Sequence, residues 1–209
     1  MESAWQTKHM RANNTATSLK AQIKLFLKRV FDRLARSAPR EHLSFKGIPL
    51  NGNINNFCQK LKEKGFTQCG SEGNIRIFKG TFTGRAATIG VASTENGKDV
   101  FSIIVLFPET GNWIDLTNTY EHYKDLYTEK YGDPSECTKF NYRPLEDNIT
   151  KIADVRPGAI VCGAIFTSPS GLIQLSIEKT SGIYKGQLMI KYQDYQYITI
   201  KRQKDIDEI

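Results

Sequence analysis

Apolar residues follow two different periods along this chain. From Ser18 to Ala38 they recur at steps of three and four, the spacing of one helical face, and lysine and arginine occupy the positions between them. Beyond residue 42 the apolar runs are shorter and strand-like, with two helical segments among them. The pattern predicts a disordered lead over 1–17, a basic amphipathic helix over 18–38 that Pro39 ends, and a single α+β domain over 42–209.

Residues 42–108 are predicted to hold one helix and several strands. His42–Leu50 has strand spacing but contains Gly47 and Pro49, which favours an edge strand. Asn53 is a suitable N-cap for a helix through Lys64, and Gly65 suits the left-handed position that follows it. The next strands are Asn74–Phe82, Ala86–Ser93 and Val100–Phe107, joined by a turn at Thr83-Gly84 and a type I′ hairpin turn at Asn96-Gly97. Val100–Phe107 is apolar on both faces, which predicts a central strand.

Residues 109–209 repeat this order. Asn112 caps a long helix to Tyr131, with Asp115 as its capping-box partner, and Gly132 and Pro134 end it. The predicted strands are Cys137–Tyr142, Ile160–Thr167, Leu172–Lys179 and Gln187–Tyr192. Residues 145–155 are weakly helical or loop, and the tail 196–209 is predicted to form a short terminal helix.

The order of elements predicts the fold class. Runs of strands without βαβ alternation favour an antiparallel sheet with the helices on one face, and the two halves suggest a tandem α-β-β-β duplication. The two helices also end alike, in Lys-Glu-Lys-Gly-Phe and in Glu-Lys-Tyr-Gly.

Charge distinguishes the predicted basic helix over 18–38, which we call the arm, from the domain over 42–209. The chain has 209 residues, of which 39% are hydrophobic, and a net charge of +7. Residues 1–41 hold nine basic and three acidic residues, so the domain itself is close to neutral and nucleic acid is not an expected partner. The basic face of the arm is a candidate contact for an anionic membrane surface or a partner, against plain packing or disorder: Lys20, Lys24, Lys28, Arg29, Arg33 and Arg36. Its charges interrupt the unbroken apolar stretch that a secretory signal needs.

Cysteine spacing does not favour a metal site. Cys58, Cys69, Cys137 and Cys162 form no C-x-x-C pair and have no histidine at ligand spacing, so zinc is not expected. Cys58 and Cys162 fall in apolar patterns typical of buried thiols. If the protein is exported, the four cysteines could form two disulfides, in any of three pairings.

No catalytic motif stands out. His9, His42 and His122 are widely separated, and the carboxylates of the long helix alternate with lysines as on a solvated face. Tyrosines 120, 123, 127 and 131 form a stripe that favours core packing over a binding surface. Gly80–Arg85 joins two strands and is no phosphate loop, and no cofactor is predicted. An enzyme would require a pocket in which two of His122, Asp115, Glu121 and Cys137 converge.

Several stretches carry a resemblance to a known group of proteins: His42–Leu50, Asn55–Phe66, Ile77–Gly84, Phe107–Trp113 and Tyr127–Pro134. In these the domain resembles an uncharacterised family of small α+β proteins from anaerobic gut bacteria. The resemblance implies export, although the basic arm stands where a signal sequence would, so the location of the protein stays open. The repeated order of elements also resembles beta-lactamase-inhibitor-like domains, which act by binding. The hypothesis is a non-enzymatic binding or scaffold domain with a protein or envelope partner; the alternatives are membrane-surface attachment through 18–36 and an enzyme with an unrecognised site.

Overall fold

The computed structural model describes residues 41–139, 158, 160–182 and 184–198. The predicted lead over 1–17, the arm over 18–38, the segment 145–155 and the tail beyond 198 lie outside these residues. The described chain is an α+β fold built on one eight-stranded antiparallel sheet, a small two-stranded sheet and helices, as the order of elements predicts.

The first half begins with a hairpin and a capped helix. Strands β1 (Ser44–Phe45) and β2 (Ile48–Pro49) pair through a tight turn, in which Lys46 and Gly47 both have positive φ, at 50° and 78°. The prediction of one edge strand over His42–Leu50 is therefore wrong, because the chain reverses direction at Gly47. Helix α1 (Ile54–Glu63) begins after the predicted N-cap Asn53, which accepts the Asn55 N–H.

Four strands follow α1, one more than predicted: β3 (Thr67–Glu72), β4 (Ile75–Phe82), β5 (Arg85–Ser93) and β6 (Val100–Leu106). The extra strand is β3, a bulged edge strand whose residues are nearly all exposed. Its sequence is therefore polar, without the alternation of apolar and polar residues that predicts a strand. The β5–β6 connection is not the predicted type I′ turn. Only Gly97 has positive φ, the Gly97 N–H donates to the Thr94 carbonyl at 2.8 Å, and the loop spans residues 94–99.

The second half repeats a helix and four strands: α2 (Trp113–Tyr131), β7 (Glu136–Lys139), β8 (Ile160–Ser168), β9 (Gly171–Lys179) and β10 (Gly186–Asp194). The predicted cap of α2 is confirmed, since the Asn112 side chain accepts the Asp115 N–H at 3.2 Å and Gly132 ends the helix with φ 82°. Residues 195–198 continue from β10 as a helical turn.

Strand order shows how the halves join. The order is β3-β4-β5-β6-β10-β9-β8-β7, so the last strand of each half, β6 or β10, lies at the centre and the first, β3 or β7, lies at an edge. The predicted central position of β6 is confirmed by its pairing with β5 and β10. The repeated unit is thus α-β-β-β-β. The strand order is symmetric about the β6–β10 pair, as if a two-fold axis passed through the sheet between these two strands.

Both helices pack on the same face, where the core lies. The Cβ of an alanine at Gly80 would lie 2.4 Å from the Phe66 ring that follows α1, and at Gly186 it would lie 2.7 Å from Trp113 of α2. An aromatic cluster connects these layers with the β1–β2 hairpin: Phe45 stacks on Phe82 at 5.7 Å, and Phe107 meets Tyr123 at 5.1 Å.

Candidate functional site

The two faces of the large sheet differ in exposure along β5 and β10, but not along β9, where seven of nine residues are buried. Along β5 and β10 nearly every second residue is buried and its neighbours are half-buried. The buried set includes Ile89 and Ile190, and it lies on the face that carries the helices. We call the opposite face the open face. Sheets covered by helices on one side leave such a face for solvent or for a partner.

Apolar side chains are concentrated on the β4–β6 part of the open face. Strand register places Ile77 beside Gly90, Gly90 beside Ile104, and Leu106 beside Met189. Gly90 makes a shallow depression there, because an added Cβ would have its nearest neighbour, Ile75 Cγ2, at 3.7 Å. We call the following half-buried or partly exposed residues the apolar patch: Ile75, Ile77, Gly90, Ala92, Ile104, Leu106 and Met189.

A polar group adjoins this patch on β10 and β9. Lys191 pairs with Ile104 on one side and with Gln174 on the other, and Glu178 lies four residues beyond Gln174 on the same face. Ser176, between Gln174 and Glu178, is fully buried and its hydroxyl has no hydrogen-bond partner among the described residues. We call Lys191, Gln174 and Glu178 the polar centre. Farther along β9 and β8 the same face is less accessible, since Leu172 and Ile165 are buried.

The charges of the polar centre are held without close partners. Among the described residues, neither Lys191 nor Glu178 makes a hydrogen bond or an ion pair. Burial lowers the pKa of Lys191, and the Glu178 carboxylate opposes part of that change. Burial likewise raises the pKa of Glu178, with Lys191 opposing it. Both side chains are thus in surroundings that disfavour their charged forms.

Lys191→Met should raise the free energy of unfolding at neutral pH by about 1 kcal/mol in dilute solution, because it removes a partly desolvated charge. The pKa of Lys191 is lower in the folded protein than the ordinary 10.5, so the folded state binds fewer protons and its stability rises with pH up to that value. The gain from Lys191→Met should therefore shrink as pH approaches 10.5. Urea unfolding across this range measures it. Lys79→Met, at an exposed position of the same face, is the control and should change little.

The cavity found among the described residues does not bring together the four residues considered for an enzyme. This cavity of about 350 Å³ lies between the start of β5 and the start of α2, with Phe107, Leu116 and Leu188 as apolar lining. Of the four, Asp115 is the one that lines it, and its carboxylate also accepts the Asn112 side-chain N–H at 2.5 Å.

The other three lie elsewhere on or beside α2. His122 is exposed with its ring against Tyr123, and Glu121 pairs with Lys124. Cys137 is on β7, where it lies close enough to Tyr120 to contribute to the raised pKa of that phenol, behind the larger effect of burial. Glu121 and Cys137 both help to raise the pKa values of Lys124 and Tyr120, so both lie near these two side chains, but neither lines the cavity.

His42 does meet a carboxylate, which its position in the sequence did not indicate. Its Nδ1 lies 3.2 Å from Asp194 Oδ2, and the same buried carboxylate accepts the Leu43 N–H at 2.8 Å and the Gln196 N–H at 2.9 Å. Neither side chain lines the cavity, and no hydroxyl or thiol among the described residues is hydrogen-bonded to His42. The pair therefore serves to fasten the start of the domain to the end of β10.

The remaining sequence candidates are structural or lie outside the described residues. Tyr120, Tyr123 and Tyr127 are buried, which confirms core packing for the stripe, and the Tyr127 hydroxyl hydrogen-bonds that of Tyr192. Cys58, Cys69 and Cys137 are free thiols; Cys58 is buried as predicted, and Cys162 is partly buried. The described residues contain no group of three metal-ligating side chains.

The basic face of the arm, Lys20 to Arg36, lies outside the described residues, so its membrane or partner contact stays a prediction. Within the described part of the chain, no helix is both long and apolar enough to cross a bilayer.

Sequence reasoning did not find the open face as a site. The available signal was the double-sided apolar character of β6, in which Ile103 and Val105 face the helices while Ile104 and Leu106 face away. That pattern was used only to place β6 at the centre of the sheet.

Comparisons with protein-family profiles, with curated proteins and with solved structures give no match to this chain, so its function is inferred from the geometry of this face.

Proposed function

We propose that this chain is a non-enzymatic protein-binding module and that the open face is its contact surface. The observation that supports this proposal is the placement of the apolar patch beside the polar centre on the sheet face opposite both helices. Contiguous exposed apolar surface next to polar groups is typical of interaction sites.

The dimensions of the face suit a small protein interface. The apolar patch and the polar centre together span the five neighbouring strands β4, β5, β6, β10 and β9, which is about 24 Å at the usual spacing, and six residues of strand extend about 20 Å, so the area is roughly 480 Å². Weak, transient protein interfaces bury less than about 600 Å² on each partner. A small molecule would instead favour a concave pocket that encloses it.

The side chains of the open face define which partner surface it would accept. The apolar patch requires aliphatic or aromatic side chains opposite β4–β6. Lys191 requires a carboxylate and Glu178 a basic group, because their charges have no close partner among the described residues. The polar centre would add specificity and the apolar patch most of the affinity.

Ile104→Asp should abolish binding that depends on the open face, since it puts an unpaired carboxylate in the middle of the apolar patch. The full chain would be used as bait in native lysate, the captured protein identified and purified, and its affinity measured against each variant. We expect at least a tenfold loss for Ile104→Asp.

The matched control is Ile114→Asp, which introduces the same charge at a side chain 73% exposed on α2 and should leave the affinity unchanged. Ile75→Asp, near the edge of the patch and 36% exposed, provides a second open-face variant if Ile104→Asp does not fold. Equal affinity of the open-face variants and the control would refute the proposal.

A further inference from the structure

This inference rests on the proposed function and names the kind of partner that the open face binds. We propose that the open face receives an amphipathic α-helix of a partner protein, which lies along β5 and carries acidic side chains on both flanks of its apolar stripe. The shape of the surface over β4–β6 supports a helix, and the charges beside these strands support the acidic flanks.

A groove runs along β5 through the apolar patch. The open-face residues of β5 are all small, whereas the strands on both sides of β5 carry large aliphatic side chains. A Cβ added to Gly90 would lie 3.7 Å from Ile75 Cγ2 on β4 and 3.8 Å from Ile104 Cβ on β6, so both walls approach the glycine. The floor consists of Ala86, Thr88, Gly90 and Ala92, and the walls consist of Ile75 and Ile77 on β4 and Ile104 and Leu106 on β6.

The groove has the width and length of a short α-helix. Two strand spacings, about 10 Å, separate β4 from β6, and a helix with its side chains is about 10–12 Å in diameter. From Ala86 to Ala92 the floor extends about 20 Å, the length of roughly 13 helical residues. A helix with apolar residues at i, i+3, i+4 and i+7 would therefore fill the groove. An extended segment would instead pair with an edge strand, β3 or β7, outside the groove.

Burial confines this contact to the β4–β6 part of the open face. Leu172 and Ser176 on β9 and Ile165 on β8 are buried, although their register places them on the same face. A partner thus reaches the large apolar side chains of this face at the walls of the groove. The helix would lie over β5, with the polar centre beside it.

Two lysines flank the groove. Lys79 lies on β4 and Lys191 on β10, so their ammonium groups are on opposite sides of β5, one strand and two strands away from it. Neither lysine makes a hydrogen bond or an ion pair within the part of the chain that the structure describes. Carboxylates on both flanks of the helix would pair with these lysines. The face also carries Glu72, which pairs with Ile75 near the Ala92 end of the groove and would accept a basic residue at that end of the helix.

The first test selects peptides without assuming their sequence. A phage-displayed library of random 16-residue peptides would be panned on the unaltered full chain after depletion on the Ile104→Asp chain, or on Ile75→Asp if Ile104→Asp does not fold. We expect the enriched peptides to have apolar residues at helical spacing with aspartate or glutamate on both flanks, and to become helical on binding, measured by circular dichroism. Enriched peptides with strand-like alternation or basic flanks, or a selection without enrichment, would overturn the proposal.

The second test separates a groove from a flat apolar surface. Gly90→Leu fills the floor but adds apolar area, so it should weaken binding of the most enriched peptide at least tenfold in fluorescence anisotropy. A flat apolar surface would bind that peptide equally or more tightly, and this result would refute the groove. Ala92→Leu makes the same test if Gly90→Leu does not fold.

A charge reversal tests the acidic flanks. Lys79→Glu should weaken binding of the same peptide about fivefold, because like charges then meet beside the groove. Lys98→Glu, at an exposed position in the β5–β6 loop, is the matched control and should leave the affinity unchanged. Equal affinities for the two variants would contradict the acidic flanks.

The two proposals can fail separately. If the protein captured from lysate still loses affinity with Ile104→Asp but no acidic helix is selected, the proposed function stands and the partner contacts the face through another structure. If Ile104→Asp affects neither the captured protein nor any selected peptide, both proposals fail.

Discussion

Gly171→Ala should lower the free energy of unfolding by about 3 kcal/mol. A Cβ at this position would lie 2.4 Å from the carbonyl oxygen of Gln193 and 2.9 Å from Leu43. The clash is with backbone that the β9–β10 ladder holds in place, since Gly171 pairs with Asp194 and Leu172 with Gln193. The strands would have to separate locally, which breaks pairing in the central half of the sheet. Urea unfolding monitored by circular dichroism measures the loss.

Gly90→Ala is the matched control for this substitution. Gly90 also lies inside a strand with partners on both sides, but a Cβ there would have its nearest neighbour at 3.7 Å, an ordinary contact. We expect no loss of stability and a gain of up to about 0.5 kcal/mol from the less flexible unfolded chain. Similar losses for the two variants would show that crowding at Gly171 is not the cause.

Asp194→Ala should lower the free energy of unfolding by about 3 kcal/mol, because it leaves the buried Leu43 N–H without an acceptor and removes the acceptors of Gln196 and His42. Asp194 is 1% exposed, so water cannot replace it without an opening of the structure. Thermal and urea unfolding measure the change. Asp194→Asn should lose less, because its amide retains one acceptor oxygen.

Asp125→Ala provides the comparison, since Asp125 is an exposed carboxylate on α2. That substitution should change stability by no more than about 0.5 kcal/mol. A loss below this level for Asp194→Ala would mean that the contacts of Asp194 with His42 and Leu43 do not hold the start of the domain.

Gly171 and Asp194 pair at the same corner of the fold, and neither position was identifiable from the sequence. The sequence predicts a strand that begins at Leu172, one residue after Gly171, and indicates no role for Asp194. Gly171 must be glycine because of Leu43 and Gln193, which are distant in the chain. Asp194 is buried because His42 and Leu43, about 150 positions earlier, close over it.

Local patterns determined the elements that depend on neighbours in the chain. The caps at Asn53 and Asn112 and the glycines that follow both helices were correctly predicted, because capping involves residues two or three apart. The buried side of α2 followed from the spacing of its tyrosines. Sequence patterns did not predict β3 or the β1–β2 hairpin. The polar residues of an edge strand and a lysine with positive φ give little periodic signal.

By itself, the sequence determined an α+β chain with an antiparallel sheet, two capped helices and a nearly neutral domain behind a basic arm. Only the tertiary structure decided that the two halves join through β6 and β10, and hence that Ile104 and Lys191 become neighbours on one face. The physical reason is that periodicity reports which residues of a strand share a side, whereas long-range strand pairing decides which strands lie together and which side the helices leave open.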